Sequence, residues 1–240
     1  MAYAATNSRN VLGQLVFYDA TKDYRWLDAQ GPNVRKALLD SGLHPVDNTT
    51  GDVAWGVVTA TSAGTGTSSL KPGEAGALLV TTSANESDGI NFQVAGEAFK
   101  FSSSNQLYFG GQVQFSSVTQ SELIFGLCIT DTDLVGGMTD GVYFDKADGA
   151  TAIKLVVEKD STATTSASVD TMVASTYAWY EMFWDGTSLK AYIDGTLVLT
   201  ATLTNLPSDE YLTPSLAVIN GEAAAMTAKV RNWRCIQVEA

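Results

Sequence analysis

Between Tyr177 and Leu203 the chain reads YAWYEMFWDGTSLKAYIDGTLVLTATL, with Asp185-Gly186 and Asp194-Gly195 set between short alternating runs. Asp-Gly pairs flanked in this way signal hairpin turns, so two consecutive antiparallel hairpins are expected here. In the first run after a turn, Leu189, Ala191 and Ile193 share one face while Lys190, Tyr192 and Asp194 share the other. In the next, Leu197, Leu199, Ala201 and Leu203 oppose Val198, Thr200 and Thr202. A period of two buries one face of a sheet and wets the other.

The same texture fills the chain beyond Gly76. Candidate strands fall at about 77–82, 90–94, 98–101, 106–115, 122–130, 141–146, 152–160, 177–185, 188–193, 196–203, 213–219 and 225–238. Leu107, Phe109, Gly111, Val113 and Phe115 form one face of a long strand, and Leu123, Phe125, Leu127 and Ile129 do the same in the next. Two such well-matched strands are expected to be neighbours. With Leu155 and Leu216, the inward set is Leu107, Phe109, Leu123, Phe125, Leu189, Ile193, Leu197 and Leu199. In the last strand Trp233 and Cys235 have one parity and Ile236 and Val238 the other, which calls for a β-bulge or for burial on both sides. A dozen strands with turn residues between them would expose too much apolar surface as one open sheet, so an all-β, two-sheet antiparallel sandwich is expected.

Residues 1–76 read differently, and the chain is divided into an arm or small subdomain over 1–76 and a sandwich over 77–240. Leu15-Val16-Phe17-Tyr18 suggests one strand, 52–60 another, and Gly31 to Gly42 one short helix with Pro32 in its first turn and Gly42 at its stop. The Gly/Ser/Thr-rich stretch 61–76 reads as a linker or long loop. Apolar groups in this part are large but scattered.

The 240 residues carry 26 acidic and 14 basic side chains, a net charge of -12. That disfavours attraction to nucleic acid or an anionic membrane surface. The opening MAYAATNSRNVLGQL has no basic segment followed by an apolar run, and no later stretch is long enough to span a bilayer, so a protein made soluble in the cytoplasm is expected. Cys128 and Cys235, the only cysteines, both fall in strands and are expected to be reduced, packed thiols.

From about Tyr177 onward the order is an aromatic strand running into Trp184-Asp185-Gly186, the Leu189 to Gly195 hairpin, Leu206-Pro207, a strand ending at Asn220-Gly221, and the Trp233 to Val238 strand. This order resembles the concanavalin A-like, laminin-G-like jelly roll. The resemblance implies a jelly-roll sandwich and leaves activity open, because lectins, glycosidases, adhesion modules and virion proteins share the architecture. Asp140 to Gly149 and Leu155 to Thr162 add a resemblance to head-associated structural proteins of tailed bacteriophages.

Chemistry is sparse in the sequence. A glycosidase needs two carboxyl groups across the scissile bond. In the related E-x-D-x-x-E pattern a bulged strand brings three carboxylates to one face; the nearest string here, Glu158-Lys159-Asp160-Ser161-Thr162-Ala163, lacks the third, and Glu181 stands alone among aromatics. His44 is the only histidine, which removes a multi-histidine metal site and the usual base for a serine or cysteine nucleophile. Asp131, Asp133 and Asp140, with Gly136 and Gly137, are candidate hard-oxygen ligands for calcium, against the reading of an acidic turn. Tyr177, Trp179, Tyr180 and Trp184 could stack on sugars, although alternation already explains them as sheet residues.

The expectation is therefore a non-enzymatic structural virion protein, a capsid decoration or cement protein that needs no cofactor. Its partners would be the major capsid protein and copies of itself, with Phe17, Tyr18, Trp26, Leu38, Leu39 and Trp55 at the capsid interface and the capsid surface as its location. The alternative is a carbohydrate- or receptor-binding module of a phage appendage, and a third is a glycoside-active enzyme.

Overall fold

The computed structural model describes residues 76–239 continuously and, ahead of them, the strands over residues 7–11, 14–18, 34–39, 51–53, 56–61 and 69–72. β1 (Asn7–Val11) and β2 (Gln14–Tyr18) form an antiparallel ribbon. They are followed by β3 (Val34–Leu39), β4 (Gly51–Val53), β5 (Gly56–Thr61) and β6 (Ser69–Pro72). Next come β7 (Leu78–Thr81), β8 (Gly89–Val94), β9 (Asn105–Phe115), β10 (Ser121–Cys128), β11 (Gly141–Lys146) and β12 (Ala152–Lys159). The last six are β13 (Thr162–Thr171), β14 (Ala178–Trp184), β15 (Leu189–Ile193), β16 (Thr196–Thr200), β17 (Thr213–Asn220) and β18 (Thr227–Glu239).

Sheet I runs β13-β12-β11-β10-β17-β8-β5-β4, and sheet II runs β16-β15-β14-β9-β18-β7-β6 with β3 also paired to β18. All pairings are antiparallel. The sheets pack face to face over one apolar core. Phe109 of sheet II meets Phe125 of sheet I edge-on at 4.8 Å, Trp233 lies 5.4 Å from Phe125 and 5.7 Å from Phe92, and Phe144 lies 5.4 Å from Tyr180. Such tilted ring contacts add to plain area burial. Leu107, Leu123, Leu155, Leu189 and Leu216 are all buried in this core, as their parity predicts.

Leu197 is the exception, at 50 % exposure. Tyr192 pairs with Leu197 but Ala191 pairs with Leu199, so Val198 is an extra residue in β16. The bulge flips parity: Leu199 packs on the core while Leu197 turns outward. β18 uses the same device productively. Arg231 pairs with Gln112 and Arg234 with Gly110, three residues against two, with Asn232 at φ +52°. Val230 points into the core before the bulge and Trp233 and Cys235 after it, while Ile236 joins Tyr108, Phe183 and Tyr192 on the outer face of sheet II. Both sequence readings of this strand hold.

The helix expected over 31–42 is not found: residues 34–39 are strand β3, pairing from Trp233↔Leu39 to Val238↔Val34. A local Arg-Lys-Ala-Leu-Leu preference for helix yields to an available sheet edge. Nor does sheet membership change at residue 76, since β5 pairs with β8 and β6 with β7. β6 lies inside the stretch read as a linker. The strand expected at 98–101 reduces to a single bridge, Phe99↔Leu212, and β13 was missed by the sequence reading.

The turns follow their residues. Asp194 and Gly195 both have positive φ, +48° and +75°, which is the two-residue hairpin turn whose twist matches the flanking strands. Asp160 and Ser161 do the same between β12 and β13, at +50° and +59°. Asp185 instead organises a four-residue connection, accepting hydrogen bonds from the backbone N–H groups of Thr187 and Ser188 at 2.9 and 2.7 Å.

Candidate functional site

The ends of β8, β10 and β12 and the starts of β9, β11, β13 and β17 lie at one end of the sandwich, so the loops over 95–104, 129–140 and 201–212 cluster there. Two buried amides of β8 hold the middle loop across the outer face of sheet I. Asn91 Nδ2 donates to the Thr132 carbonyl at 2.7 Å, and Gln93 Nε2 donates to the Ile129 carbonyl at 2.9 Å while its Oε1 accepts from Asp131 N–H at 2.9 Å. Glu97 Oε1 accepts from Thr130 N–H at 2.7 Å. Leu134 and Met138 of this loop pack on Ile124, Cys128, Tyr143, Val156 and Ala217.

The three aspartates considered for calcium serve two different turns. Asp131 Oδ1 accepts from Asp133 N–H at 2.8 Å, and Asp133 Oδ1 from Gly136 N–H at 3.1 Å, as in an acidic turn. Asp140 is buried and serves the next turn, its Oδ1 accepting from Asp160 N–H at 3.2 Å and its Oδ2 from the Thr139 hydroxyl at 2.8 Å. Among the described residues no three His, Cys, Asp or Glu side chains are grouped to hold a metal ion.

The loop over 201–212 presents Tyr211, 45 % exposed and the only aromatic among the described residues left in the exposed class. Lys100 Nζ sits 5.1 Å from its ring centroid and donates to the Asp209 carbonyl at 2.7 Å. Lys159 Nζ forms an ion pair with Asp209 Oδ2 at 2.7 Å. The hydrogen bond raises the Lys159 pKa and lowers that of Asp209, an exposed pair that orients the loop more than it stabilises the fold. The loop is tied down by Leu212, whose carbonyl accepts from Ala98 and Phe99 N–H and whose N–H donates to the Phe99 carbonyl. On sheet II at this end, Ser103, Asn105, Gln106, Asp185, Val238 and Glu239 are among the residues lining a recess of about 280 Å³. Burial opposes ionisation of Asp185, but hydrogen bonds from Ser188 and Thr187 prevail and hold its pKa well below the usual carboxylate range.

The aromatics singled out in the sequence are not assembled into an exposed platform. Trp179, Tyr180 and Trp184 are buried, Tyr180 donating to Asp170 Oδ2 at 2.9 Å and Trp184 Nε1 to the Ser102 carbonyl at 2.8 Å. Tyr177 is half-buried beneath Arg231, whose guanidinium carbon lies 3.8 Å from the ring centroid. Glu181 is fully buried and accepts from the Tyr108 hydroxyl at 2.8 Å.

Two other carboxyls are perturbed. Burial raises the pKa values of Glu122 and Asp145, which lie on neighbouring strands at the opposite end of sheet I. A raised carboxyl pKa suits a general acid, yet neither residue lines the recess at the Tyr211 end. Tyr143 donates to Glu158 Oε2 at 2.7 Å, and burial, with that carboxylate, drives its hydroxyl pKa far upward. Cys128 and Cys235 are buried thiols, and burial pushes both pKa values up, the reverse of what a nucleophilic thiolate requires.

Of the interface candidates, Phe17 and Tyr18 lie in β2 and Leu38 and Leu39 in β3, whereas Trp26 and Trp55 lie outside the described residues, as does the sole histidine, His44. Sequence reasoning missed Tyr211. The only signal was a tyrosine in a polar Ser-Asp-Glu loop with no alternation around it.

No protein-family model matches the chain, and no curated protein matches it. Solved structures do. An endo-1,3-beta-glucanase from Streptomyces sioyaensis superposes with a TM-score of 0.62 at 11% identity, over 88% of this chain and 99% of that one. The potassium-bound carbohydrate recognition domain of Emp46p gives 0.54 at 10% identity, over 77% and 88%. A structure described as a native glycosidic hydrolase gives 0.56 at 12% identity, over 88% and 97%. At such identities the likeness establishes the fold, a concanavalin A-like jelly-roll sandwich. The class is shared by lectin domains and glycan-cleaving enzymes.

Proposed function

We propose that this chain is a non-hydrolytic carbohydrate-binding module that takes its glycan at the Tyr211 end of the sandwich. The observation that carries the reading is Tyr211 itself. An aromatic ring held in solvent by a tied-down loop, with the polar groups of Asp209, Glu210, Lys100 and Lys159 around it, offers what a sugar needs: an apolar face for its C–H surface and polar groups for its hydroxyls. The similar structures support the reading, since one is a carbohydrate recognition domain and two are named as glycan hydrolases. Hydrolysis is disfavoured because Glu181 is buried against Tyr108 with no second carboxylate on its strand.

The test is a glycan array probed with the full chain, followed by titration of any hit against wild type and Tyr211→Ala. Retention of a glycan by wild type and a loss of roughly tenfold or more in the variant are expected, about 1.4 kcal/mol at the least. An array without a hit overturns the reading, and release of reducing ends by the purified chain overturns its non-hydrolytic half.

A second reading, a structural protein of the virion surface bound to the major capsid protein, is favoured by one observation: Leu197 and Val198 stand side by side in solvent on β16, an apolar surface suited to a neighbouring chain. In that reading Phe17, Tyr18, Trp26, Leu38, Leu39 and Trp55 would contact the shell. Truncating residues 1–76 would strip sheet partners from β7, β8 and β18, so point variants are the better probe. Phe17→Ser and Leu38→Ser should abolish cosedimentation with capsids lacking the native protein; undiminished decoration would remove these residues from the contact.

A further inference from the structure

β13 and β16 are the last strands of sheets I and II on the same side of the sandwich, and no described strand pairs with the outer edge of either. The edges are unusually undefended. Thr162-Ala163-Thr164-Thr165-Ser166-Ala167-Ser168 has no charge and no proline, and β16 has none either. Five of those seven residues are exposed and the other two half-buried. Natural edge strands are usually guarded by lysine, proline or inward charge. The one inward charge on β13, Asp170, lies beyond this run, and β13 departs from regular register past Thr165, whereas Thr162 to Thr165 pair regularly with Lys159 to Val156.

Apolar exposure is concentrated on this side. Of the five large apolar side chains exposed among the described residues, Leu197 and Val198 lie on β16 and Val173 two residues beyond β13. Between the two edges a recess of about 280 Å³ opens toward the core, lined by Leu155, Val157, Thr164, Ser166, Leu199 and Ala201.

Electrostatics decides what can cover this strip. Two molecules of net charge -12 repel wherever their carboxylates face each other, and a run of seven uncharged residues is a place where they can meet without that cost. A strand edge is also complementary to itself when turned about a two-fold axis. We propose that the β13 and β16 side of the sandwich joins two copies of this chain, the first half of β13 pairing antiparallel with its counterpart and Leu197 and Val198 closing over the junction. Sheet I then continues from one copy into the other. Threonines on the strand suit such pairing, because Thr–Thr contacts across strands are favourable. The proposal is independent of what the Tyr211 end binds.

Sedimentation equilibrium of the full chain over a wide concentration range tests it. Wild type is expected to show a reversible monomer–dimer equilibrium. Thr165→Asp combined with Val198→Asp, both at exposed positions, should weaken the dimer by at least roughly tenfold, since like charges across a junction are costly. Val135→Asp, an exposed apolar position in the 129–140 loop, should leave it unchanged. Amide hydrogen exchange over residues 162–165 should slow as concentration rises, while near-ultraviolet circular dichroism confirms that each variant is folded. A monomer at every concentration overturns the proposal, as does a dimer indifferent to the paired substitution or one broken by Val135→Asp. Protection of those amides only on adding an extended peptide would assign the edge to a different partner and overturn it as well.

Discussion

β17 and β13 are both long antiparallel strands of sheet I, one in its interior and one at its edge. Every residue of β17 is buried, and none of β13 is. β17 is held by its side chains: Leu216 and Val218 face the core, while Ala217 packs under the 129–140 loop on the other face. β13 has few such contacts. It is a strand because the left-handed Asp160-Ser161 turn aims the chain back along β12 and the backbone pairs there. Burial makes the centre of this sheet, and turn geometry with ladder hydrogen bonds makes its edge.

The contrast can be broken most directly by truncation. Leu216→Ala in β17 and Phe125→Ala beside it should each cost about 2–5 kcal/mol, from lost transfer energy and the cavity left behind. Ser168→Ala in β13 should change stability by less than about 0.5 kcal/mol. Urea unfolding of the three variants measures this, and comparable losses at both strands would dissolve the distinction.

Adding atoms sharpens the same contrast. A Cβ at Gly126 in β10 would lie 2.3 Å from the Val142 carbonyl oxygen and 2.4 Å from the Tyr143 Cα. These are backbone atoms that cannot swing aside, so Gly126→Ala should cost about 1–3 kcal/mol, whereas Ala163→Ser at the edge should be silent in the same assay.

Charge is treated differently in the two regions too. Lys146 at the end of β11 is fully buried, donating to the Ser121 and Ala147 carbonyls, and burial lowers its pKa to about 8. In the unfolded chain a lysine titrates near about 10.4. Below pH 8 both states hold the proton and the cost of the buried charge is fully present. From there up to about 10.4 the unfolded state binds more protons, so this group adds stability as pH rises. Cys128 and Cys235, raised by burial, act oppositely once pH passes about 8.5, the ordinary thiol value. Between pH 8 and 10 the stability of Lys146→Met relative to wild type should therefore fall, as denaturant midpoints would show, while Lys159→Met near the edge should show no such trend.

A gain rather than a loss is expected at the β12–β13 turn. Ser161 sits at φ +59°, where glycine rests without strain, so Ser161→Gly should raise stability by up to about 1 kcal/mol. A loss instead would mean that this turn does not set the edge.

The same division explains what could be read from the sequence. Leu107, Phe109, Leu123, Phe125 and Leu216 declare their strands by alternation because one face is buried, and Asp194-Gly195 declares its turn because few residue pairs accept two left-handed positions. Thr162 to Thr171 buries no face and gives no periodic signal. Val34 to Leu39 has residues that suit a helix, and nothing local reveals the β18 edge on which they pair. Leu197 was misplaced because alternation cannot announce a bulge. The site was less legible still. Asp131 and Asp133 share one turn while Asp140 serves another, and Tyr211 acquires meaning only when Lys100 and Lys159, distant in sequence, converge on Asp209.

β18 has a consequence for how the molecule is made. Its thirteen residues pair with β9 along one side, while the other side is shared by β7 and β3. It also follows every other described strand in sequence. Until it emerges from the ribosome, the described strands of sheet II exist as three pieces with no ladder between them, β16-β15-β14-β9, β7-β6 and β3, and Trp233 is missing from between Phe92, Phe109 and Phe125. Sheet II therefore closes only once residues 227–239 have been synthesised. Until then the nascent protein must keep the open edge of β9 from pairing elsewhere, a hazard of incomplete sheets that final stability does not measure.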